Sequence, residues 1–132
     1  MKIIGLDGKE YNWKPEAYHK EKENQSGLHK RAKLLIKKLF PFYSLHEEVL
    51  LVGVSVKLYL DIYINSLRLA FEIQGAQHYT YNSFFYSSAK DFRQAKARDK
   101  MKKEWCELNN IDLVELPYNE TEIEWTARIK NR

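Results

Sequence analysis

Three strand-forming stretches, roughly 47–56, 58–64 and 69–75, follow one another with almost nothing between them, and they limit the fold more than any other feature. They are rich in Val, Ile, Leu, Phe and Tyr, and the last two are separated by Asn65-Ser66. Runs of this kind divided by turn residues form hairpins, so an antiparallel meander of three strands is expected. A fourth stretch, Ile111-Asp-Leu-Val-Glu-Leu-Pro117, comes only after a helical segment that opens at the capping-box-like Ser88-Ala-Lys-Asp91 and ends near Asn109-Asn110. Strand, helix and strand join in parallel through a right-handed crossover. The expected sheet is therefore mixed and four-stranded.

Helices flank it. From Gly27 to Phe40, Leu28, Ala32, Leu35, Ile36 and Leu39 recur at three and four, with Lys30, Arg31, Lys33, Lys37 and Lys38 between them and Pro41 as the stop. The crossover helix should bury Ala97, Met101, Trp105 and Leu108. Asn119, with Glu122 three residues on, should start a last helix burying Ile123, Trp125 and Ile129. The order is αβββαβα, an α/β fold. Residues 1–25 mix Gly, Pro, charge and aromatics without period and read as an irregular N-terminal arm, leaving 26–132 as one domain.

The charge balance, 22 Lys+Arg against 18 Asp+Glu, gives +4 and a mild bias towards polyanionic partners. The lone Cys106 excludes an internal disulfide and a multi-cysteine zinc site. No apolar run approaches the roughly 18 residues of a membrane span, and Asp7 follows Met1-Lys2-Ile3-Ile4-Gly5 too closely for a signal peptide. A cytoplasmic protein with no membrane partner is expected.

Alternation assigns Leu58, Leu60, Ile62 and Ile64 to one face of the second strand and Tyr59, Asp61 and Tyr63 to the other. In the third strand Leu69, Phe71 and Ile73 oppose Ala70, Glu72 and Gln74. A four-residue loop at 65–68 would set Asp61 directly opposite Glu72. Two facing carboxylates repel unless positive charge lies between them, or unless both stand on a solvated face. The first alternative points to a hard divalent cation, Mg²⁺ or Mn²⁺, held by Asp61 and Glu72. Glu48 is the candidate third carboxylate, with Glu47 also open.

At Leu60-Asp-Ile-Tyr-Ile-Asn65, Leu69-Ala-Phe-Glu-Ile-Gln-Gly-Ala-Gln-His-Tyr79, Arg98-Asp99, Lys103-Glu-Trp105 and Asn110-Ile-Asp-Leu-Val-Glu-Leu116, the chain resembles the PD-(D/E)XK nucleases. Within them it is most similar to the group resembling very-short-patch-repair endonucleases, which includes phage proteins and homing endonucleases. The resemblance implies a restriction-endonuclease-like αβββαβ core, followed here by a C-terminal helix. It also implies metal-dependent cleavage of DNA, with Asp61 and Glu72 as ligands and Glu48 as an added acidic group. The usual lysine two residues after the Glu is Gln74 here, which can orient water but carries no charge. Lys103 and Arg98 are the candidate substitutes.

His78 suits a general acid or base, or a structural loop position. Asp99 suits a further carboxylate, or an i,i+4 pair with Lys103. Lys30, Lys33, Lys37, Arg93, Lys96 and Arg98, with Lys100 and Lys102, are candidate phosphate contacts. The aromatics of 79–86 suit base stacking or a cover for the core. Two other functions share these residues. One is a resolvase of branched DNA acting as a homodimer; the other is a catalytically degenerate DNA-binding module.

Overall fold

A computed structural model describes residues 1–17, 26–75 and 88–132. The expected meander and crossover are present: β3 (His46–Leu50), β4 (Tyr59–Ile64), β5 (Leu69–Gln74) and β6 (Asp112–Pro117) form one sheet in the order β3-β4-β5-β6. β3, β4 and β5 pair antiparallel, and β6 joins β5 in parallel. The protein is thus α/β with a mixed four-stranded sheet and a C-terminal helix. Among the described residues no helix is long and apolar enough to cross a membrane.

Both faces of the sheet are covered. α1 (Gly27–Leu39) and α3 (Glu122–Lys130) lie on one, where Ala32, Ile36, Ile62, Ile64, Phe71, Trp125 and Ile129 form one buried cluster. Ser26 caps α1 by accepting the His29 N–H at 3.1 Å. Thr121, rather than Asn119, caps α3, because its hydroxyl lies within reach of the Glu124 N–H at 3.2 Å. Ile123 is 83% exposed, so the buried apolar residues of α3 are Trp125 and Ile129.

On the other face lies α2 (Ala89–Leu108), with Ser88 as its N-cap as expected. Its inward stripe differs from the expected one. Trp105 is buried and Met101 packs against the core as expected, but Ala97 and Leu108 are exposed, and Cys106 and Asn109 are buried instead. An apolar-only criterion rotates the helix, because the partly buried positions Ala95, Asp99 and Lys102 are mostly charged.

Residues 1–17 are no irregular arm. β1 (Lys2–Ile4) and β2 (Glu10–Asn12) make a hairpin whose Ile3, with Trp13 just beyond it, enters the same cluster as Trp105, Leu60 and Tyr63. Asn109 clamps the hairpin to α2, accepting the Ile4 N–H at 2.7 Å and donating to the Ile4 carbonyl at 2.9 Å. Trp13 donates to the Leu50 carbonyl at 2.9 Å and meets Trp105 edge-on at 4.9 Å.

The first strand of the meander stops at Leu50 instead of running to 56, and Gly53, at φ 76°, turns the chain back. A Cβ on Gly53 would lie 2.5 Å from the Gly5 Cα, so the hairpin seats on this turn through two glycines. Strict alternation also fails in β4: Leu58 and Leu60 pack with the hairpin, whereas Ile62 and Ile64 pack with α1 and α3. The change falls at Asp61, level with Glu48, whose φ of 48° turns β3 out of the regular pleat.

If the hairpin is part of the core, Trp13→Ala should destabilise the domain by about 3–5 kcal/mol, as for other buried tryptophans. Urea denaturation followed by circular dichroism measures this; an unchanged midpoint would mean that the hairpin is an appendage.

Candidate active site

The turn between β4 and β5 has the expected length. Residues Asn65–Leu67 make one turn of 3₁₀ helix, and Arg68 closes it in the left-handed conformation. The ladder then runs Ile64↔Leu69, Tyr63↔Ala70 and Ile62↔Phe71. The next step of this register sets Asp61 opposite Glu72, and there side chains replace the main-chain ladder. The Asp61 N–H donates to Glu72 Oε1 at 3.3 Å, and the Ile73 N–H donates to Asp61 Oδ2 at 2.9 Å. Each carboxylate thus satisfies an amide on the neighbouring strand.

The acidic row extends further. Glu48 lies between the paired residues Glu47↔Ile62 and Val49↔Leu60, hence level with Asp61, and Glu72 pairs with Glu115 in the parallel register. Every strand of the sheet contributes one carboxylate to this line. A cleft of about 250 Å³ opens over one end of it, lined by Glu48, Tyr59 and Asp61 from the sheet, by Lys57 just before β4, and by Arg98, Asp99 and Lys102 from α2. Glu72, only 5% exposed, is buried beside it.

Glu72 is buried against a like charge, and both burial and Asp61 push its carboxyl well above the usual carboxylate range. Lys102 opposes this, with Nζ 3.2 Å from Glu72 Oε2. Burial disfavours the Lys102 ammonium, but Glu72, Asp61 and Asp99 outweigh it and raise the group above an ordinary lysine. The positive charge that the two carboxylates require is therefore present in the protein itself. Cys106, buried nearby, has its thiol pushed up to about 12 by burial and then by Glu72, and so is unreactive at neutral pH.

The expected cation substitutes separate. Arg98 lines the cleft, whereas Lys103 points to β6 and pairs with Glu115 at 2.6 Å. Lys102, one residue earlier, is the cation beside Glu72. Sequence placed it among surface phosphate contacts because nothing local marks it as inward; the signal was its i+3 and i+4 spacing from Asp99 and Arg98, the residues that carry the resemblance. Asp99 also lines the cleft.

Gln74 is buried on β5, two residues beyond Glu72, and its carbonyl accepts the Tyr118 N–H at 2.7 Å. Of the other basic candidates, Lys30, Lys37, Arg93 and Lys96 are exposed, and Lys33 binds Glu47 at 2.9 Å. His78 and the aromatics of 79–86 lie outside the described residues. Among the described residues no group of three His, Cys, Asp or Glu side chains is close enough together to hold a metal ion.

Glu47 and Glu48 lie on different sides of β3, Glu48 lining the cleft. Glu47 faces α1, where His29 Nε2 lies 2.8 Å from Oε1 and Lys33 Nζ 2.9 Å from Oε2. Burial pushes the Glu47 carboxyl up, but the hydrogen bonds from His29 and Lys33 and their charge outweigh it and hold the group below its ordinary value.

No family model matches the chain, and no solved structure matches it. Three viral proteins do. Protein 307L of Invertebrate iridescent virus 6 is 38% identical over 69 residues, which is 52% of this chain and 35% of that protein. Protein 094L of Frog virus 3 is 41% identical over 70 residues, 52% of this chain and 45% of that protein. Protein 033L of Invertebrate iridescent virus 3 is 33% identical over 59 residues, 45% of this chain and 30% of that protein. All three are named as uncharacterized proteins. The matched stretch thus spans less than half the length of each curated relative.

Because the Glu47 carboxyl is held low in the folded state, its stabilisation should be complete above the ordinary carboxylate range and lost as pH falls through the lowered folded value. Glu47→Gln should cost roughly 1–3 kcal/mol at neutral pH, and the gap from wild type should close on acidification. Denaturant midpoints between neutral pH and pH 3 measure it; a gap independent of pH would mean that the Glu47 charge contributes nothing.

Proposed function

We propose that the chain is a divalent-metal-dependent nuclease domain with a restriction-endonuclease-like core, hydrolysing phosphodiester bonds in DNA. The observation that carries this reading is the juxtaposition of Asp61 and Glu72 at the point where the β4–β5 ladder gives way, with Lys102 beside them and an open cleft above. It agrees with the motif resemblance at the same residues.

The donor set fits a hard cation. Mg²⁺ is usually held by one or two carboxylates, its own waters and substrate phosphate, so two protein carboxylates without a third are sufficient. Asp61 and Glu72 would hold it, with Glu48 at the mouth of the cleft. When bound, such an ion lowers the pKa of a water and draws charge from the phosphoryl oxygens.

The remaining chemistry falls to the chain's own groups. The Lys102 ammonium supplies the charge that Gln74 lacks, countering negative charge that builds on the phosphate as water adds. Arg98 and Lys57, at the rim, orient the incoming phosphate. Gln74 positions water by hydrogen bonding, and His78 remains the candidate for proton transfer.

A second reading, a DNA-binding module without catalysis, draws support from the same contacts. Asp61 and Glu72 are hydrogen-bonded to strand amides, and Lys102 balances Glu72, so the protein has no need of an ion to satisfy them. The two readings differ in what Asp61 does.

Supercoiled plasmid and labelled single-stranded, duplex and branched DNA, incubated with Mg²⁺ or Mn²⁺, provide the test. Wild type should cut in a metal-dependent way, and Asp61→Ala and Glu72→Ala should not, while Lys102→Met should lose about 10²–10³-fold in rate. Preferential cutting of the branched substrate by a dimer would select the resolvase form. Metal-independent binding without cutting would leave the binding module.

A further inference from the structure

We propose that a second surface, across β3 from the carboxylate cleft, binds unpaired nucleotides of the nucleic acid whose phosphate enters that cleft. In naming this substrate class the inference rests on the nuclease reading.

A hollow of about 460 Å³ lies at the C-terminal end of α1, with Phe40, Pro41, Tyr43 and Leu45 as its apolar wall and Lys37 on its rim. Next to it Phe42 stands 94% exposed and Tyr43 42% exposed. An aromatic ring left almost wholly in water stabilises nothing in the fold, whereas it is a ready platform for a nucleobase.

The charge around it selects the same ligand. α1 carries Lys30, Arg31, Lys33, Lys37 and Lys38 and no acidic residue. Arg31 is engaged by Glu122 at 2.7 Å and Lys33 by Glu47. Lys37 and Lys38, the two nearest the aromatic pair, have no ion-pair partner among the described residues. Cations beside exposed rings match a strand that presents phosphates and bases together.

Position joins this surface to the cleft. Glu47 lines the hollow and Glu48 lines the cleft, and they are consecutive residues of the edge strand β3. A strand with one phosphate above Asp61 would reach Tyr43 and Phe42 by passing around this edge, from the α2 side of the sheet to the α1 side. Bases inside a duplex are stacked on one another and cannot use the platform, so its ligand is unpaired.

Fluorescence anisotropy in EDTA tests this without cleavage, using a labelled single strand, a blunt duplex and a duplex with a single-stranded extension. Phe42→Ala should weaken the single strand and the extended duplex about five-fold or more, the low end of base stacking, and leave the blunt duplex unchanged. Phe42→Trp should restore binding. Lys37→Gln should reduce the log–log salt slope for the single strand by roughly 0.7. Phe42 touches no core, so an unchanged urea midpoint excludes misfolding. Single-strand affinity unaffected by Phe42→Ala, or an equal loss on the blunt duplex, would overturn the proposal. Cleavage abolished by Asp61→Ala alongside unchanged Phe42→Ala binding would sink this surface but keep the nuclease. Phe42-dependent binding without any cleavage would do the reverse.

Discussion

Placing Glu72 beside Asp61 in the interior of the sheet is the constraint on which the rest of the arrangement depends. An ionised carboxylate out of water costs several kcal/mol, and a second carboxylate opposite it adds to that. The offset comes from the Asp61 N–H and, chiefly, from the Lys102 ammonium at 3.2 Å. Lys102 can serve only if α2 is held at one height and rotation over the sheet. That duty falls on the other half of the helix, where Trp105 donates to the Val52 carbonyl at 2.9 Å and Asn109 binds both main-chain groups of Ile4. A lysine in the site is thus positioned by a hairpin that lies some ninety residues or more earlier in the sequence.

The hairpin is in turn seated by what happens to β3. Had that strand continued to residue 56, its edge would occupy the place where β1 and β2 dock. Gly53 at positive φ ends it, and the Gly5–Gly53 approach brings the hairpin down on the turn. The same short strand carries the left-handed Glu48, a conformation costing of the order of 1–3 kcal/mol that the surrounding core must hold in place. Strain at Glu48, the break in β4 alternation and the end of the β4–β5 ladder coincide in one row of the sheet. That row is the one that holds the acids.

What could be read from sequence follows from how local each relation is. The parity of Asp61 and Glu72 depends only on a four-residue turn, so alternation was enough to set them opposite each other. The parallel crossover followed from a chirality rule that needs no contact information. The inward face of α2 was misread because Lys102 faces inward for the sake of Glu72, thirty residues earlier, and a periodicity of apolar residues does not register charge complementarity. The N-terminal strands, three residues each, are too short to show alternation, and their anchor, Asn109, is polar. Glu47 and Glu48 are indistinguishable in sequence; His29 and Lys33 separate them only once α1 is packed.

The internal cation also changes what a divalent ion would mean for this fold. In small metal-built domains the carboxylates or thiolates have no other partners, so binding and folding are one event. Here Asp61 accepts from the Ile73 amide and Glu72 is paired with Lys102, so both carboxylates have partners within the protein. Under the nuclease reading, ion binding then competes with an existing pair instead of completing the core, which favours modest affinity and an ion brought in together with substrate phosphate. Under the same reading, the contact with Glu72 keeps Lys102 at the site. On that reading a lysine on α2, instead of one at position 74, can pair with Glu72 when no ion is bound and still face the phosphate.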